Sequence, residues 1–333
     1  MEALYTVFTC FGPVARTCLR SIHPNPHSYT YEHDLATYLR QVDHEIRSLA
    51  GQRSQILGGA LEQESSSTIV LMEPNHSGLS FTVRIMSRFI AHRMVGAEPG
   101  RFYKLLQSLS RSPALRTSAT WLFEAYAHDW LRRGGEFKAD ELPITDTNAP
   151  PLTFGITASG VDGISYFTTA DDLAKKVSGE DGGSSIGAGV PGKYFHSCYM
   201  TPESFDGLVF NDYDTLILMQ FTMAKTHTVK PHAVRLLLQG LPATIKTVCI
   251  IFVVPADRAK SYFNAQKVPT ASSIGPGVRI KQYRLVFRDQ DIEGIAAQRS
   301  QSPRDEGMGE GEGRGNYMEK DYGESLDDGS DSD

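Results

Sequence analysis

The spacing of apolar residues divides the chain into a helical part and a strand-rich part, with the change near residue 135. Before that point, apolar residues recur every three or four positions, as on one face of an α-helix. This spacing predicts helical structure within residues 1–60, helices over 79–94, 100–110 and 112–133, and one short strand at 64–72. In the third of these helices, Ser112 suits the N-cap and Pro113 the first helical position. Gly134 and Gly135 predict its end.

The second part alternates short apolar runs with turn-forming residues, which is typical of strands. Strands are predicted at residues 151–158, 164–169, 207–210, 215–222, 247–255 and 280–287. Two helical patterns interrupt them, at 230–241 and 257–267. A hairpin followed by helix, strand, helix and strand indicates an α/β domain with a mixed sheet.

Charge is distributed unevenly along the 333 residues. Residues 301–333 hold eleven acidic and three basic residues, and because the whole chain is at −6, the first 300 residues stand near +2. Glycine, serine and acidic residues dominate from residue 300 onward, so 300–333 is predicted to be a disordered acidic tail. The nearly neutral folded part argues against tight non-specific DNA binding, although local basic patches remain.

The compartment is indicated by what the sequence lacks. No stretch approaches the ~20 apolar residues of a membrane span, and no basic residues precede the first apolar run as in a secretory signal. The four cysteines are far apart and form no CxxC pair. We therefore expect an intracellular protein with reduced thiols and no membrane partner.

Two familiar kinds of site receive little support. The loop at residues 187–194 matches phosphate-loop spacing until its last position, where Tyr194 replaces the Ser or Thr that holds magnesium. The histidines are scattered and form no HExxH motif, so a zinc site of the usual sequence type is not expected. They include His76, His92, His128, His196, His227 and His232.

The hairpin at residues 204–227 is the strongest candidate for chemistry. Asp206 lies at the start of its first strand, and Gln220 and Thr222 interrupt the apolar run of the second. Pairing of the strands would bring Asp206 beside or diagonal to Gln220. A buried carboxylate or amide needs a partner, which here is either a metal ion or a set of hydrogen bonds within the hairpin.

A metal-site reading assigns roles to these residues. Asp206, the Gln220 carbonyl and Glu124 from the preceding helix would offer oxygen ligands to Mg²⁺ or Mn²⁺, and Lys225 or Lys230 would supply a cation. Such a cluster suits phosphodiester cleavage. The alternative is a hairpin whose polar residues only bond to neighbouring turns.

Several segments, taken in order, carry a resemblance to a known family. They are "WLFEAYAHDWLRRGGEF", "YMTPESFDGLVF", "LILMQFTMAKTHTVKPHAVRLLLQGL" and "CIIFVVPADRAKSYFNAQ". Together they resemble the C-terminal domain of fungal Crinkler–RHS-type proteins, which is similar to the restriction-endonuclease (PD-(D/E)XK) superfamily. The resemblance implies a core of one helix, a mixed sheet of about four or five strands and flanking helices over residues 79–299. Residues 1–78 would be a helical N-terminal segment, and "FGPVARTCL" within it resembles the end of an upstream ATPase module.

The resemblance also implies a site. Glu124 matches the helical acid and Asp206 the metal-binding acid, while Gln220 and Thr222 stand where the superfamily has an acid and the catalytic lysine. Lys225 would replace that lysine, and Thr222, His227 and Lys230 would contact substrate. The implied function is a magnesium-dependent effector nuclease acting on DNA, in its own or a host nucleus, with an ATPase partner supplied by another protein. A catalytically inactive nucleic-acid- or protein-binding module and a fragment with no independent role are the alternatives.

Overall fold

The computed structural model describes residues 25, 28–51, 69–74, 81–112, 115–144, 149–158, 165–167, 170–178, 191–197, 205–239, 241, 243–268, 270, 274 and 277–301. Residues 302–333 of the predicted acidic tail, the ATPase-like segment and residues 187–190 of the loop with phosphate-loop spacing lie outside these residues. Residues 300 and 301, predicted as the start of the disordered tail, instead end the last helix. Cys249 is a buried free thiol, and the other three cysteines also lie outside them.

Helices precede the main sheet in the chain and then alternate with its strands. The helices are α1 (Tyr29–Gly51), α2 (Arg88–Ala97), α3 (Pro99–Leu109), α4 (Arg116–Arg132), α5 (Ala170–Ser178), α6 (Pro231–Gln239), α7 (Ala256–Ala259) and α8 (Asp289–Gln301). Among the described residues, no helix combines the length and the apolar character needed to cross a lipid bilayer.

One large mixed sheet organises the molecule. The strands are β1 (Val70–Pro74), β2 (Phe81–Ile85), β3 (Gly135–Glu141), β4 (Leu152–Ile156), β5 (Ser165–Phe167), β6 (Tyr194–Ser197), β7 (Gly207–Phe210), β8 (Thr215–Phe221), β9 (Thr247–Pro255) and β10 (Arg279–Phe287). Strands β1 and β2 form a small antiparallel sheet. The other eight lie in the order β4-β3-β10-β9-β8-β7-β6-β5, with β8, β9 and β10 parallel. The predicted α/β class is confirmed, with a sheet larger than the four or five strands expected.

The two faces of this sheet bury different helices. Strand side chains alternate between faces, so Ile217, Met219 and Phe221 of β8 join one hydrophobic cluster. Leu216 and Leu218 join the other. The first cluster contains side chains of α1 to α4 and α8, and the second contains those of α5 to α7. We refer to these sides as the α4 face and the α6 face.

The segment predicted as a helix over residues 79–94 is partly wrong. Residues 81–85 form β2, which pairs with β1 in the register Val70↔Ile85. Helix α2 begins only at Arg88, after Ser87 accepts a hydrogen bond from the backbone N–H of Ile90 as its N-cap. Before Ser87, pairing with β1 determines the structure although the apolar spacing is helical. After Ser87, the helical spacing and the observed helix agree.

Two other helix predictions need correction. Helix α4 begins at Arg116 with Leu115 as its N-cap, and the backbone N–H of Leu115 bonds to Ser112 O. Pro113, the predicted first helical residue, lies outside the described residues. The helix predicted at 257–267 ends at Ala259. Lys267 instead forms a bridge with Thr228, an extended contact that a continuing helix could not make. The predicted end of α4 is confirmed, since Gly134 follows it with a φ of 72°.

Besides β2, which was predicted as helix, four elements were not predicted: strands β3 and β6 and helices α5 and α8. Strand β3 is rich in polar residues and pairs with β4 and with the distant β10. Strand β6 has four residues and pairs with β5 and β7. Helix α1, in the predicted N-terminal segment, packs into the cluster on the α4 face through Val42 and Ile46.

Candidate active site and histidine cluster

Asp206 lies at the edge where β7 begins. Its backbone N–H bonds to Met219 O, and its Oδ2 accepts hydrogen bonds from Gln220 Nε2 and from the backbone N–H of Phe221, each at 2.8 Å. The bond from Phe221 satisfies a backbone N–H of β8 that lies beyond the start of β7. The carboxylate therefore continues the sheet where the strand has ended.

Gln220 is the partner of Asp206 that the hairpin prediction anticipated. Its amide group donates through Nε2, the orientation that a carboxylate requires. The other amide atom, Oε1, is buried and has no hydrogen-bond partner among the described residues.

Glu124 approaches Asp206 from the α4 face, and one arginine lies between them. Arg88 Nε is 3.3 Å from Glu124 Oε2, and its NH1 is 3.7 Å from Asp206 Oδ1. The two carboxylate side chains are 4 % exposed, whereas that of Arg88 is 36 % exposed. A buried pair of acids thus faces a single cation that reaches solvent. We call Arg88, Glu124, Asp206 and Gln220 the acidic site.

Burial makes both acids weak. It raises the pKa of Glu124 from 4.5 to about 8, and the neighbouring Asp206 charge adds to the rise while Arg88 opposes it. Burial also raises the pKa of Asp206, to about 6, against the opposing effects of Arg88 and the Phe221 N–H. Near neutral pH, the pair therefore holds about one proton between its two carboxyls.

The other predicted site residues follow β8. Thr222 is buried, and its hydroxyl accepts a hydrogen bond from the backbone N–H of Ala224. Lys225 and Lys230 are exposed, and His227 is half-buried with its backbone N–H bonded to Gln266. The cation that contacts both carboxylates is thus Arg88, where the prediction assigned Lys225.

Three histidines converge on the same face of the sheet. One ring nitrogen from each of His92, His128 and His196 lies within 4.8 Å of the other two, in an arrangement able to hold a metal ion. The rings of His128 and His196 stack with centroids 3.6 Å apart, and His92 lies 5.3 Å and 5.4 Å from them. We call these three residues the histidine cluster.

Burial keeps the histidine cluster neutral. It lowers the pKa of His92 to about 4, with Arg132 and Arg88 adding to the fall. Burial also brings the pKa of His128 and His196 well below 6.5. At neutral pH all three rings are uncharged, which is the form that ligates metals.

Tyr194 supports this cluster. Its hydroxyl lies 2.7 Å from His128 Nδ1, and its side chain is fully buried. Tyr194 fits there because Gly207 has no side chain: a Cβ at that position would stand 2.4 Å from the tyrosine hydroxyl. The glycine after Asp206 therefore positions a histidine contact.

The acidic site and the histidine cluster are built on the same elements. Helix α2 carries Arg88 and His92, and α4 carries Glu124 and His128, in each case four residues apart and so on one face. In the sheet, His196 of β6 pairs with Gly207, the residue next to Asp206. The two i, i+4 pairs are the only trace of the cluster that we find in the sequence. They could not be interpreted without knowing that α2 packs against α4.

Comparisons with protein-family models, with curated proteins and with solved structures find no match.

Proposed function

We propose that the acidic site is the centre of a metal-dependent phosphodiesterase that cleaves DNA. The observation that carries the proposal is the meeting of Glu124 and Asp206, two almost fully buried carboxylates, at a single cation. Buried acids next to each other are costly for folding alone, and pairs whose pKa values are pushed upward are typical of functional sites. The resemblance to Crinkler–RHS-type proteins supports DNA as the substrate class.

The residues fit a hard divalent cation such as Mg²⁺ or Mn²⁺. Asp206 Oδ1 and the Glu124 carboxylate already face positive charge, and the buried Oε1 of Gln220 has no hydrogen-bond partner in the part of the chain that the structure describes. Oxygen ligands of this kind suit magnesium. Asp206, Glu124 and Gln220 would hold the ion, which would polarise the phosphate and lower the pKa of the attacking water.

The protein's own residues have separate roles. Gln220 and the Phe221 N–H orient Asp206, because both donate to the same oxygen and leave the other turned toward Arg88. Glu124, with a pKa of about 8 in the metal-free protein, holds a proton near neutral pH that it would give up on taking the ion as a ligand. Arg88 is displaced from the carboxylates toward solvent, where its guanidinium binds the phosphate of the substrate.

The segment after β8 is the proposed path for the nucleic acid. Lys225 and Lys230 are exposed and close in sequence to Thr222 and His227, so they can contact the phosphate backbone. Action in a nucleus and control by a separate ATPase protein belong to the same proposal, on the strength of the resemblance.

A binding module without catalysis is the second candidate, and the Arg88 contact favours it. The Arg88 guanidinium contacts both carboxylates and, with the proton that the pair holds near neutral pH, balances the site without a metal, while Thr222 uses its hydroxyl for a local turn. In that case the acidic site only stabilises the fold.

The test measures Mg²⁺ and Mn²⁺ binding by calorimetry together with nicking of plasmid DNA. We expect wild-type protein to bind the ion and cut DNA, and Asp206→Asn and Glu124→Gln each to lose both properties. Asp214→Asn is the matched control, because Asp214 is an exposed acid of the same hairpin. DNA binding by a well-folded protein that neither binds the ion nor cuts DNA would establish the second candidate.

A further inference from the structure

We propose that His92, His128 and His196 form a binding site for a transition-metal ion of the Zn²⁺ class, separate from the acidic site. Three imidazoles from α2, α4 and β6 converge there, although their positions are far apart in sequence. The inference does not depend on the proposed nuclease activity.

The spacing of the rings is close to that of a metal site. Imidazole nitrogens bind zinc at about 2.0–2.1 Å, so two ligands of a tetrahedral site stand about 3.3 Å apart. The three nitrogens here lie within 4.8 Å of one another, so the rings have to rotate to bring their nitrogens onto one ion, and the stacked rings of His128 and His196 have to turn out of their stack. Because the rings come from two packed helices and a strand, their backbones need not move.

Tyr194 defines which nitrogen of His128 can bind the ion. The tyrosine hydroxyl lies beside Nδ1, which leaves Nε2 as the ligand atom. In the metal-binding tautomer, Nδ1–H donates to the tyrosine oxygen. Metal-ligating histidines almost always donate their second N–H to such an outer partner, which fixes the ring orientation.

The ligand chemistry separates the two sites. Neutral imidazoles suit zinc, copper, nickel and iron, whereas carboxylate and amide oxygens suit magnesium and manganese. The positive charge near the cluster is compensated, because Arg132 is paired with Asp129 at 2.6 Å and Arg88 with the two acids. The cluster can therefore accept a divalent ion without displacing Arg88.

Three protein ligands leave one position of a tetrahedral ion open. Two of the rings, His92 and His196, keep partial exposure to solvent, so water or a small anion can reach that position. The ion would also tie α2 to α4 and to the sheet. Since α2 carries Arg88 and α4 carries Glu124, metal binding at the histidine cluster would fix the spacing of the two helices that carry the acidic site.

The experiment uses the full chain, stripped of metal with EDTA and titrated with Zn²⁺ by calorimetry. Co²⁺ serves as a spectroscopic probe, because tetrahedral cobalt gives visible bands. We expect one zinc ion with imidazole ligands at about 2.0–2.1 Å by X-ray absorption. His92→Gln and His196→Gln should each weaken binding by more than the about 10- to 100-fold lost with an outer hydrogen bond.

Two control variants make the result specific. His232→Gln replaces an exposed histidine of α6, and Asp214→Asn replaces an exposed acid of the turn between β7 and β8, so both should bind Zn²⁺ as the wild type does. Folding of every variant is checked by thermal unfolding in EDTA. X-ray absorption of the wild type gives an answer even where a variant fails to fold. Absence of zinc binding, oxygen-dominated coordination, or unchanged affinity in both cluster variants would overturn the proposal.

Discussion

The acidic site and the histidine cluster are built on the same helices and the same sheet edge, yet burial acts on them in opposite directions. It raises the pKa of Glu124 and lowers that of His92, since burial disfavours whichever form is charged. The acids become weak enough to hold a proton at neutral pH, while the histidines become too weak to bind one. A metal ion that binds the carboxylate oxygens must therefore displace a proton. A metal ion that binds the imidazole nitrogens finds them already deprotonated.

The two sites also differ in how they are balanced without metal. The acidic site has an internal cation, Arg88, that contacts both carboxylates. The rings of the histidine cluster are uncharged and need no counter-ion, and the hydroxyl of Tyr194 lies beside His128 Nδ1. Removing one partner from each site should therefore have unequal consequences, and the following predictions are ordered by the size expected.

Arg88→Ala should have the largest effect on stability. At pH 8 it leaves two buried carboxylates without a cation, and we expect the free energy of unfolding to fall by about 3 kcal/mol, the lower end for a broken buried ion pair because Arg88 is partly exposed. At pH 6 the loss should be smaller, because the carboxyls can take up protons. Urea unfolding at the two pH values measures the difference.

The control for this change is Arg101→Ala. Arg101 lies 3.9 Å from Glu98 in an exposed pair, which should contribute less than about 1 kcal/mol. The double variant Arg88→Ala with Glu124→Gln should recover part of the lost stability at pH 8. Equal losses for Arg88→Ala and Arg101→Ala would show that the acids do not need the guanidinium.

The pH dependence of the metal-free protein distinguishes the two sites directly. Unfolded Glu124 loses its proton near pH 4.5 and folded Glu124 near pH 8, so its contribution to stability falls as pH rises between these values. His92 behaves oppositely, because its pKa falls from 6.5 to about 4 on folding and its contribution is lost as pH falls through that window. Above pH 6.5, His92 no longer contributes to the slope.

Between pH 6.5 and 8 the wild type should therefore lose about 2 kcal/mol that Glu124→Gln does not lose, at about 1.4 kcal/mol per proton and pH unit. His92→Gln should change the curve only below pH 6.5. Unfolding by urea in EDTA across pH 4 to 8 gives both curves. Parallel wild-type and Glu124→Gln curves above pH 6.5 would mean that Glu124 is already ionised in the folded protein.

The two sites also differ in how well the sequence predicted them. Asp206 and Gln220 could be predicted as neighbours, because a hairpin brings together strands that are close in sequence and its register follows from the apolar pattern. Whether they serve catalysis stays a prediction. Arg88 and the histidine cluster could not be placed, since their meeting depends on how α2 packs against α4 and on β6, an unpredicted strand.

The fold shows the same limit. Long apolar strands such as β9 were predicted at their observed bounds, since each carries its own pattern. Strand β2 and the early end of α7 depend on pairing with β1 and on the bridge to Thr228, contacts that no local spacing reveals. Polar strands β3 and β6 are held by the sheet more than by their own propensity.

Tyr194→Phe tests the histidine cluster more gently than loss of a ligand does. It removes the hydroxyl beside His128 Nδ1 and keeps the ring that packs over Gly207. Zinc affinity should fall by about tenfold, the lower end for an outer hydrogen bond, because a neutral hydroxyl is a weak acceptor. Calorimetry with Zn²⁺ measures the fall, and Mg²⁺ binding at the acidic site should not change. An equal fall for both ions would mean that Tyr194 supports the shared scaffold.

Ser87→Ala should have the smallest effect and should reach both sites together. Ser87 caps α2, the helix that begins with Arg88 and presents His92 one turn later. Loss of this cap should lower the free energy of unfolding by about 1 kcal/mol and weaken Mg²⁺ and Zn²⁺ binding by less than about tenfold each. Ser108→Ala is the control, because the Ser108 hydroxyl donates to Lys104 O within α3, a helix that carries no residue of either site. If Ser87→Ala weakened the binding of only one of the two ions, α2 would not be the shared support of both sites that we infer from the paired positions of their residues.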